Sequence, residues 1–337
     1  MTGLISATGR FRAYLQFLAA ILYYFLVASL AYRGTRGLVH DDAWSPLVDQ
    51  AMLVFLLLLG FAAMGFWVDH QPDPVSDQGL PRRAGWHSEL ALGLATGWAI
   101  ALVCVLPMML AGGIAITIIT GQSAWLWLVA DAAFFALAAL AEEVAWRGYA
   151  FQSFARAVGP IGATLGFAAI YAITQQLTPG AGHASFFVSI AFTFLLSACY
   201  LRTRALWMSW GLNFAWKASR ALIFGLAVNG VSGHSPVVQG EPMGPYWFTG
   251  GDFGLEGSWF ACLVLLVAVP VVFRLTRDLN FRYNAPVIVS AGIPVDIDAS
   301  ARAQHEAAMG PSAIASPTLV QIEKAGSEGT REREGSQ

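Results

Sequence analysis

Long apolar segments alternate with short polar connections along most of this chain. A helix that crosses a bilayer needs about 20 mostly apolar residues, and eight segments meet that requirement. The pattern therefore predicts an all-α fold, a polytopic membrane helix bundle with about eight transmembrane helices. The predicted spans are 13–32, 48–68, 88–120, 124–146, 161–177, 185–201, 205–228 and 257–273.

Two of these spans have unusual features. The third is longer than a bilayer requires and contains Gly112-Gly113, so we expect it to be tilted, kinked or broken there. The first follows Arg10 and Arg12, as the apolar part of a signal peptide would. Its apolar stretch exceeds the roughly 7–15 residues of a signal peptide, so we expect an uncleaved anchor.

The basic residues of the connections predict the orientation of the bundle. Cytoplasmic connections of membrane proteins are enriched in Lys and Arg. One alternating set of connections holds only Arg33 and Arg36, and its largest loop, 229–256, is acidic. The other set holds most of the arginines, so both termini are predicted to be cytoplasmic. Those arginines are Arg10, Arg12, Arg82, Arg83, Arg147, Arg156, Arg202, Arg204, Arg274, Arg277 and Arg282.

The character of the sequence changes after the last span. Residues 285–337 are rich in Ala, Ser, Gly and mixed charge, which is typical of a disordered segment. We therefore divide the chain into three parts. Residues 1–87 hold two N-terminal transmembrane helices with their loops, 88–275 form a helical membrane domain, and 276–337 form a largely disordered cytoplasmic tail.

Composition excludes two classes of protein. Only 12% of the residues are charged and 56% are hydrophobic, whereas a soluble domain carries about 25% charged residues. The net charge of −2 provides no basic field for nucleic acid. Membrane lipid is thus a predicted partner and nucleic acid is not. The cysteines Cys104, Cys199 and Cys262 lie in apolar segments without metal-site spacing, so we expect buried side chains.

Ionisable residues inside two of the spans are candidates for a functional site, because such groups are costly in a bilayer. Helix four contains Asp131, Glu142 and Glu143, and helix seven contains Lys217 and Arg220.

Glu143 and Arg147 stand four residues apart, a spacing that lets a carboxylate and a guanidinium pair along one face of a helix. We expect helix four to continue past Arg147. Glu142 would point about 100° away from that pair and be free to act as a general base. The alternative is a buried ion pair that only fixes helix packing.

The segment Glu142-Glu143-Val-Ala-Trp-Arg147 resembles the EExxxR motif of the CPBP family, which includes CAAX prenyl protease 2 and bacteriocin-processing or abortive-infection relatives. The resemblance continues through Tyr200–Trp207 and Gly211–Lys217 and covers roughly residues 90–230. It implies an intramembrane endopeptidase of the cell membrane, here the bacterial inner membrane. Such an enzyme would cleave a membrane-associated or lipidated peptide near the cytoplasmic face.

The resemblance also implies the roles of individual residues. In the family the first Glu of EExxxR activates water, a His in FxxxH positions that water, and HxxxN supplies donors to the oxyanion. The FxxxH position reads Phe167-Ala-Ala-Ile-Tyr171 and the HxxxN position reads Asn213-Phe-Ala-Trp-Lys217, so both histidines are replaced. The predicted catalytic residues are Glu142, Glu143, Arg147, Tyr171, Asn213 and Lys217.

These replacements change the expected chemistry. Two carboxylates and an amide make a poor zinc site, and all six histidines fall in loops or the tail, so we expect no metal and no cofactor. Loss of an acid–base residue typically costs ~10²–10⁴ in rate, although Asn213 remains a competent oxyanion donor.

The ammonium of Lys217 should pair with an anion, because a lone charge is unfavourable in a bilayer. Glu142, Glu143 and Asp131 are the candidates. Counting helical rises from the cytoplasmic ends puts Lys217 level with Asp131, but the sequence does not decide between the partners.

Two further functions stay open at this point. A catalytically impaired pseudoprotease of the same fold could serve as a membrane binding or immunity protein. A transporter is the weaker alternative, because no inverted repeat with broken helices is visible in the sequence.

Overall fold

Helices account for most of the chain in the computed structural model, which describes residues 7–41, 43–119, 121–277, 279, 287–288 and 294–295. Within these residues, five helical stretches are long and apolar enough to cross a membrane, and the predicted all-α membrane bundle is confirmed. They are Thr8–Leu38, Ser45–Val68, Trp86–Leu110, Ala124–Gln176 and His183–Thr203. The helices are α1 (Ala7–Leu38), α2 (Ser45–Val68), α3 (Pro74–Asp77), α4 (Trp86–Leu110), α5 (Gln122–Arg147), α6 (Tyr149–Gln176), α7 (His183–Thr203), α8 (Trp207–Ala218), α9 (Tyr246–Thr249) and α10 (Trp259–Leu275).

The longest of the five stretches contains two of the predicted spans, because the chain leaves the helical conformation at Gly148 (φ −75°, ψ −135°). A Cβ atom at Gly148 would lie 2.3 Å from the carbonyl oxygen of Val144, so only glycine fits there. The prediction that helix four continues past Arg147 is therefore wrong. Helix α6 bends again at Gly159 (φ +85°), immediately before Pro160.

The third predicted span is broken at its glycine pair. Helix α4 ends at Leu110, and Gly112 (φ +71°) reverses the chain so that the Gly113 N–H donates to Met108 O at 2.8 Å. Strand β1 (Ile114–Ile118) follows and pairs antiparallel with β2 (Val238–Pro242), with Ile114 opposite Pro242 and Ile118 opposite Val238. Sequence analysis did not predict this small sheet.

The seventh predicted span, 205–228, is wrong in its extent. Helix α8 has 12 residues and continues only as a π-helix over Ser219–Ile223. The chain then turns at Gly225 (φ +64°), where a Cβ would lie 2.3 Å from Val238 O, so the turn is imposed by the close approach of β2. The eighth span corresponds to α10, a 17-residue helix whose N-terminus is capped by the Ser258 hydroxyl accepting from Ala261 N at 3.1 Å.

Helices α4 and α8 pack unusually closely through glycines. Cβ atoms at Gly93 and Gly97 would lie 2.1 and 2.4 Å from the carbonyl oxygens of Met208 and Leu212, and one at Gly211 would lie 2.5 Å from Leu90 O. Small residues allow such backbone contact between membrane helices. This packing fixes α8, which carries two of the predicted site residues.

Two apolar clusters meet at α5 and α8. One is built from α4, α7, α8 and α10, and the other from α1, α2, α5 and α6. Because α5 and α8 also contact each other, the boundary between the clusters is where polar side chains from both helices come together.

The chain divides into two compact units, residues 1–283 and 284–337. In the second unit, β3 (Val287–Ile288) pairs antiparallel with β4 (Pro294–Val295). The rest of the predicted tail lies outside the described residues.

Candidate active site

Helix α8 crosses α5 directly over the two adjacent carboxylates. Asn213 Nδ2 donates to Glu142 Oε2 and to Glu143 Oε1, each at 3.0 Å. The Lys217 ammonium donates to Glu142 Oε1, and Ser209 lies beside Glu143. Since Ser209, Asn213 and Lys217 are spaced by four residues, one face of α8 presents all three to the carboxylates.

Glu143 is completely buried and paired within its own helix. Arg147 Nη1 contacts Glu143 Oε1 at 3.0 Å, as the spacing of four residues predicts, and the arginine is itself only 4% exposed. Asn213 supplies a second donor to the same carboxylate oxygen. The Glu143–Arg147 pair is therefore a buried ion pair that supports the site from within α5.

Glu142 has a different environment. Its side chain is 31% exposed, whereas the side chain of its partner Lys217 is 7% exposed. Within the described residues Lys217 pairs with Glu142 and not with Asp131, so the level estimated from helical rises is wrong. Lys217 lies on the same face of α8 as Asn213, which also contacts Glu142, so the lysine reaches that carboxylate. Glu142 was one of the three candidate partners named for Lys217.

A small cavity of about 10 Å³ lies against Glu142 on the side of α6 and α7. Tyr171 reaches this cavity, with its ring edge-on to that of Trp146 at 5.7 Å between centroids. The Tyr171 hydroxyl accepts a hydrogen bond from Gln175 Nε2 at 3.0 Å. The cavity is lined by Glu142, Trp146, Arg147, Phe167, Tyr171, Phe192, Thr193, Leu196 and Ser197.

A larger groove of about 330 Å³ also borders Glu142. Its walls come from α1, α2, α5, the end of α8 and the segment that follows the π-helix. They are largely apolar and aromatic, with Glu142 and Lys217 as the charged members. The lining residues are Tyr24, Gln50, Leu53, Phe134, Phe135, Ala138, Ala141, Glu142, Lys217, Val228, Asn229, Val231 and His234.

The structure thus brings all six predicted site residues together. Glu142, Arg147 and Tyr171 line the small cavity, Glu142 and Lys217 line the groove, and Asn213 bridges Glu142 and Glu143.

His234 lines the groove but was not predicted to lie near the site. Its ring contacts Phe135 edge-on at 5.0 Å and lies parallel to Phe134 at 6.2 Å. Burial lowers the pKa of His234 below its usual value. The sequence places this histidine correctly in a loop, but it contains no local signal that the loop folds back over α5.

Hydroxyl side chains on α7 were also missed, although the sequence contains a signal for them. Ser185, Ser189, Thr193 and Ser197 recur every fourth residue and are all buried, so they form one face of the helix. Thr193 and Ser197 are the two that reach the small cavity.

Arg220, noted in the sequence without a partner, pairs with Glu256. Its Nη1 lies 2.6 Å from Glu256 Oε2, and its guanidinium lies 4.2 Å from the centroid of the Trp216 ring. This pair ties the π-helix to the loop before α10 and does not line either the cavity or the groove.

The donor set around Glu142 does not suit a metal ion. Both carboxylate oxygens accept hydrogen bonds, one from an ammonium and one from an amide, and the ammonium repels cations. Within the described part of the chain, no group of three or more His, Cys, Asp or Glu side chains could hold a metal ion.

Comparison with known families identifies the segment that contains the site. Residues 120–219 match the family model described as type II CAAX prenyl endopeptidase Rce1-like, and this segment includes every predicted site residue. No curated protein and no solved structure matches this chain. This segment is therefore similar to the CPBP/CAAX proteases, and the long apolar helices are those of a multi-pass membrane protein.

Proposed function

We propose that this protein is an intramembrane endopeptidase in which Glu142 activates water to hydrolyse a peptide bond. One observation carries the proposal: Glu142 lines both a cavity of about 10 Å³ and a groove of about 330 Å³. A cavity of about 10–15 Å³ holds one water molecule, and pockets that bind ligands have volumes of about 300–1,000 Å³. The carboxylate thus borders a space for water and a space for substrate.

In this proposal an extended peptide lies in the groove with its scissile carbonyl next to Lys217. Glu142 takes a proton from water, and the resulting hydroxide attacks the carbonyl carbon. The Lys217 ammonium stabilises the oxyanion, as preorganised donors do in other hydrolases. Glu142 then passes its proton to the departing amine as the C–N bond breaks, which balances the reaction.

Glu143 and Arg147 act as support for the base in this scheme. Glu143 is buried and its charge is balanced by Arg147, so neither is available to substrate in the groove. The hydrogen bond that Glu143 accepts from Asn213 holds this amide next to Glu142. Tyr171 forms part of the cavity wall and presents its hydroxyl to the water.

The proposed substrate is a membrane-associated or lipidated peptide. The groove is lined mainly by aromatic and aliphatic side chains, which favours an apolar segment of the substrate. Glu142 stands five residues before the end of α5, or about 7.5 Å along its axis. With the orientation predicted from the arginines, hydrolysis takes place near the cytoplasmic face of a bacterial inner membrane.

The test is cleavage of a library of membrane-tethered peptides by the protein reconstituted in lipid vesicles. Glu142→Gln should lower the cleavage rate by at least about 10²-fold, because it removes the general base. Asp131→Asn is the matched control: it removes a carboxylate from the same helix, outside both the cavity and the groove, and should leave cleavage unchanged. Cleavage that persists undiminished in the Glu142→Gln protein would contradict the proposal.

One observation favours a second function, that of a pseudoprotease serving as a membrane binding or immunity protein. Lys217 and Asn213 occupy both oxygens of Glu142, so the base has no oxygen without a donor. In this alternative the pair is permanent and the groove only binds peptide. It predicts equal peptide binding by wild type and Glu142→Gln, with no cleavage by either.

A further inference from the structure

We propose that Ser197 is a positioning residue that holds a water molecule against Glu142 in the small cavity. The inference rests on the proposed function, because this water is the molecule that Glu142 would activate to hydrolyse the peptide bond. Neither the EExxxR segment nor the other two motif positions include Ser197, which lies on α7.

Ser197 has a buried hydroxyl without a protein partner. The residue is 1% exposed, and within the described part of the chain no group lies in hydrogen-bonding position to its Oγ. Ser185, on the same face of α7, differs: its hydroxyl donates to Gly182 O at 2.6 Å and accepts from Gln176 Nε2 at 2.7 Å. Since buried polar groups nearly always have a partner, the Ser197 hydroxyl calls for one in the cavity it lines.

The walls of the cavity supply the contacts that a buried water needs, which are usually two to four. The Glu142 carboxylate accepts a hydrogen bond, and the Ser197 hydroxyl accepts or donates one. The Tyr171 oxygen already accepts from Gln175, so its own proton is left to donate. Arg147 Nε is a further buried donor that lacks a hydrogen-bond partner in the described residues.

The remaining walls restrict where that water can sit. Trp146, Phe167, Phe192 and Leu196 are apolar, so the polar contacts lie only toward the remaining lining residues, which are Glu142, Arg147, Tyr171, Thr193 and Ser197. The volume of about 10 Å³ is close to the minimum for a single water molecule.

This arrangement explains how the site works without the histidine of the FxxxH position. Tyr171 stands at that position and donates a hydrogen bond, but a phenol is a weak base and does not orient water by accepting its proton. The serine hydroxyl adds a second contact from α7, on a different side of the cavity. Hydrogen bonds from Tyr171 on α6 and Ser197 on α7 orient the water. They therefore define the direction of the oxygen lone pair that attacks the substrate.

The test is a pair of substitutions that have the same shape and differ only in the hydroxyl, Ser197→Thr and Ser197→Val. High-resolution structures of the protein in lipid nanodiscs should contain an ordered water within hydrogen-bonding distance of Glu142 and residue 197 in the wild type and in Ser197→Thr. The Ser197→Val structure should lack this water and keep the Glu142–Lys217 contact. Ser189→Val, on the same face of α7 but outside the cavity, is the control for the effect of valine on folding.

Cleavage kinetics supply the second readout. With a peptide that the wild type cleaves, Ser197→Val should lower kcat by about tenfold, the effect of one hydrogen bond, with KM unchanged because the groove is untouched. Ser197→Thr should restore most of the rate. A dry cavity in the wild-type structure would overturn the inference whatever the kinetics, and equal kcat values for the threonine and valine variants would overturn it too. If the water is present but Glu142→Gln still cleaves, the water site stands and the proposed function fails.

Discussion

Glu142 and Glu143 are neighbours in the sequence, yet their surroundings differ in almost every respect. Glu143 is fully buried, pairs with Arg147 on its own helix and lines neither the cavity nor the groove. Glu142 is 31% exposed, pairs with Lys217 on another helix and lines both. The comparison shows how one turn of a helix can carry a structural carboxylate and a chemically accessible one.

The Glu143–Arg147 and Glu142–Lys217 pairs should accordingly respond differently to substitutions. An intrahelical pair depends only on the geometry of α5, whereas the pair between α5 and α8 depends on how those helices pack. A carboxylate sealed from water also has no other source of solvation if its partner is removed, whereas one that borders a groove does.

The largest effect on stability is expected from Glu143→Gln. This change leaves the Arg147 charge buried without its carboxylate, and breaking a buried pair in this way costs roughly 3–5 kcal/mol. Glu142→Gln should cost clearly less, because Lys217 borders the groove, where solvent can reach its charge. Denaturant unfolding of both variants in the same detergent measures the two losses, and equal losses would refute the distinction.

A substitution far from both carboxylates should disturb only one of the pairs. In Gly93→Ala the new Cβ would lie 2.1 Å from Met208 O, so α8 must move away from α4. Overpacking of this kind costs about 1–3 kcal/mol. We expect the Glu142–Lys217 contact to be lost while the Glu143–Arg147 contact within α5 remains.

The control for this substitution is Gly37→Ala in α1, where a Cβ would meet nothing within 4 Å. Its unfolding free energy should be unchanged or raised by up to about 1 kcal/mol, since alanine favours helix more than glycine does. A structure of Gly93→Ala with both ion pairs intact would contradict the expectation that α8 packing holds Lys217 in place.

An ion pair outside the spans should have a smaller effect than either intramembrane pair. Asp69 follows α2 and lies 3.2 Å from Arg156 Nη2, whose side chain is 42% exposed. Burial opposes ionisation of Asp69, but hydrogen bonding to Arg156 and its charge outweigh burial and lower the pKa of the carboxyl. The pair therefore contributes stability above the unfolded pKa of Asp, about 3.9, which is lost as the pH falls through the lower folded value.

Asp69→Asn should remove that acid-dependent contribution, which is at most about 1 kcal/mol for a pair so accessible to solvent. Unfolding free energies measured at several pH values below about 5 test this. Arg156→Gln should flatten the same part of the pH profile of the unfolding free energy. If both variants keep the profile of the wild type, this pair makes no contribution.

Much of the site could be predicted from the sequence because its signals are local. The spacing of Glu143 and Arg147 encodes their pairing, and the resemblance through Asn213 and Lys217 places α8 at the same site. The partner of Lys217 was not predictable in the same way, because it depends on the angle at which α8 crosses α5. Gly93 and Gly97 on α4 let α8 pack closely against that helix, and their role appears only when α4 and α8 are packed together.

The parts of the fold that depend on local sequence could also be predicted, and the parts that depend on contacts distant in the sequence could not. Gly112-Gly113 marks the break after α4 because a positive φ is a local requirement. The turn at Gly225 depends instead on the approach of β2, which is distant in the sequence, so the seventh helix was predicted too long. His234 reaches the groove for the same reason, through a loop whose path is set by tertiary contacts.

The smallest expected effect on stability concerns His234, which lines the same groove as Glu142. Burial against Phe134 and Phe135 lowers its pKa, so the unfolded chain binds more protons than the folded one between the folded pKa and the unfolded value of about 6.5. Stability should therefore fall as the pH drops through that window. Replacing the histidine by a residue that does not titrate, His234→Gln, should abolish this dependence, with an effect smaller than that of Asp69→Asn. The free energies of unfolding of the wild type and of His234→Gln should be compared from about pH 7 down to pH 5. If the two pH profiles stay parallel, the groove holds this histidine less tightly than its ring contacts indicate.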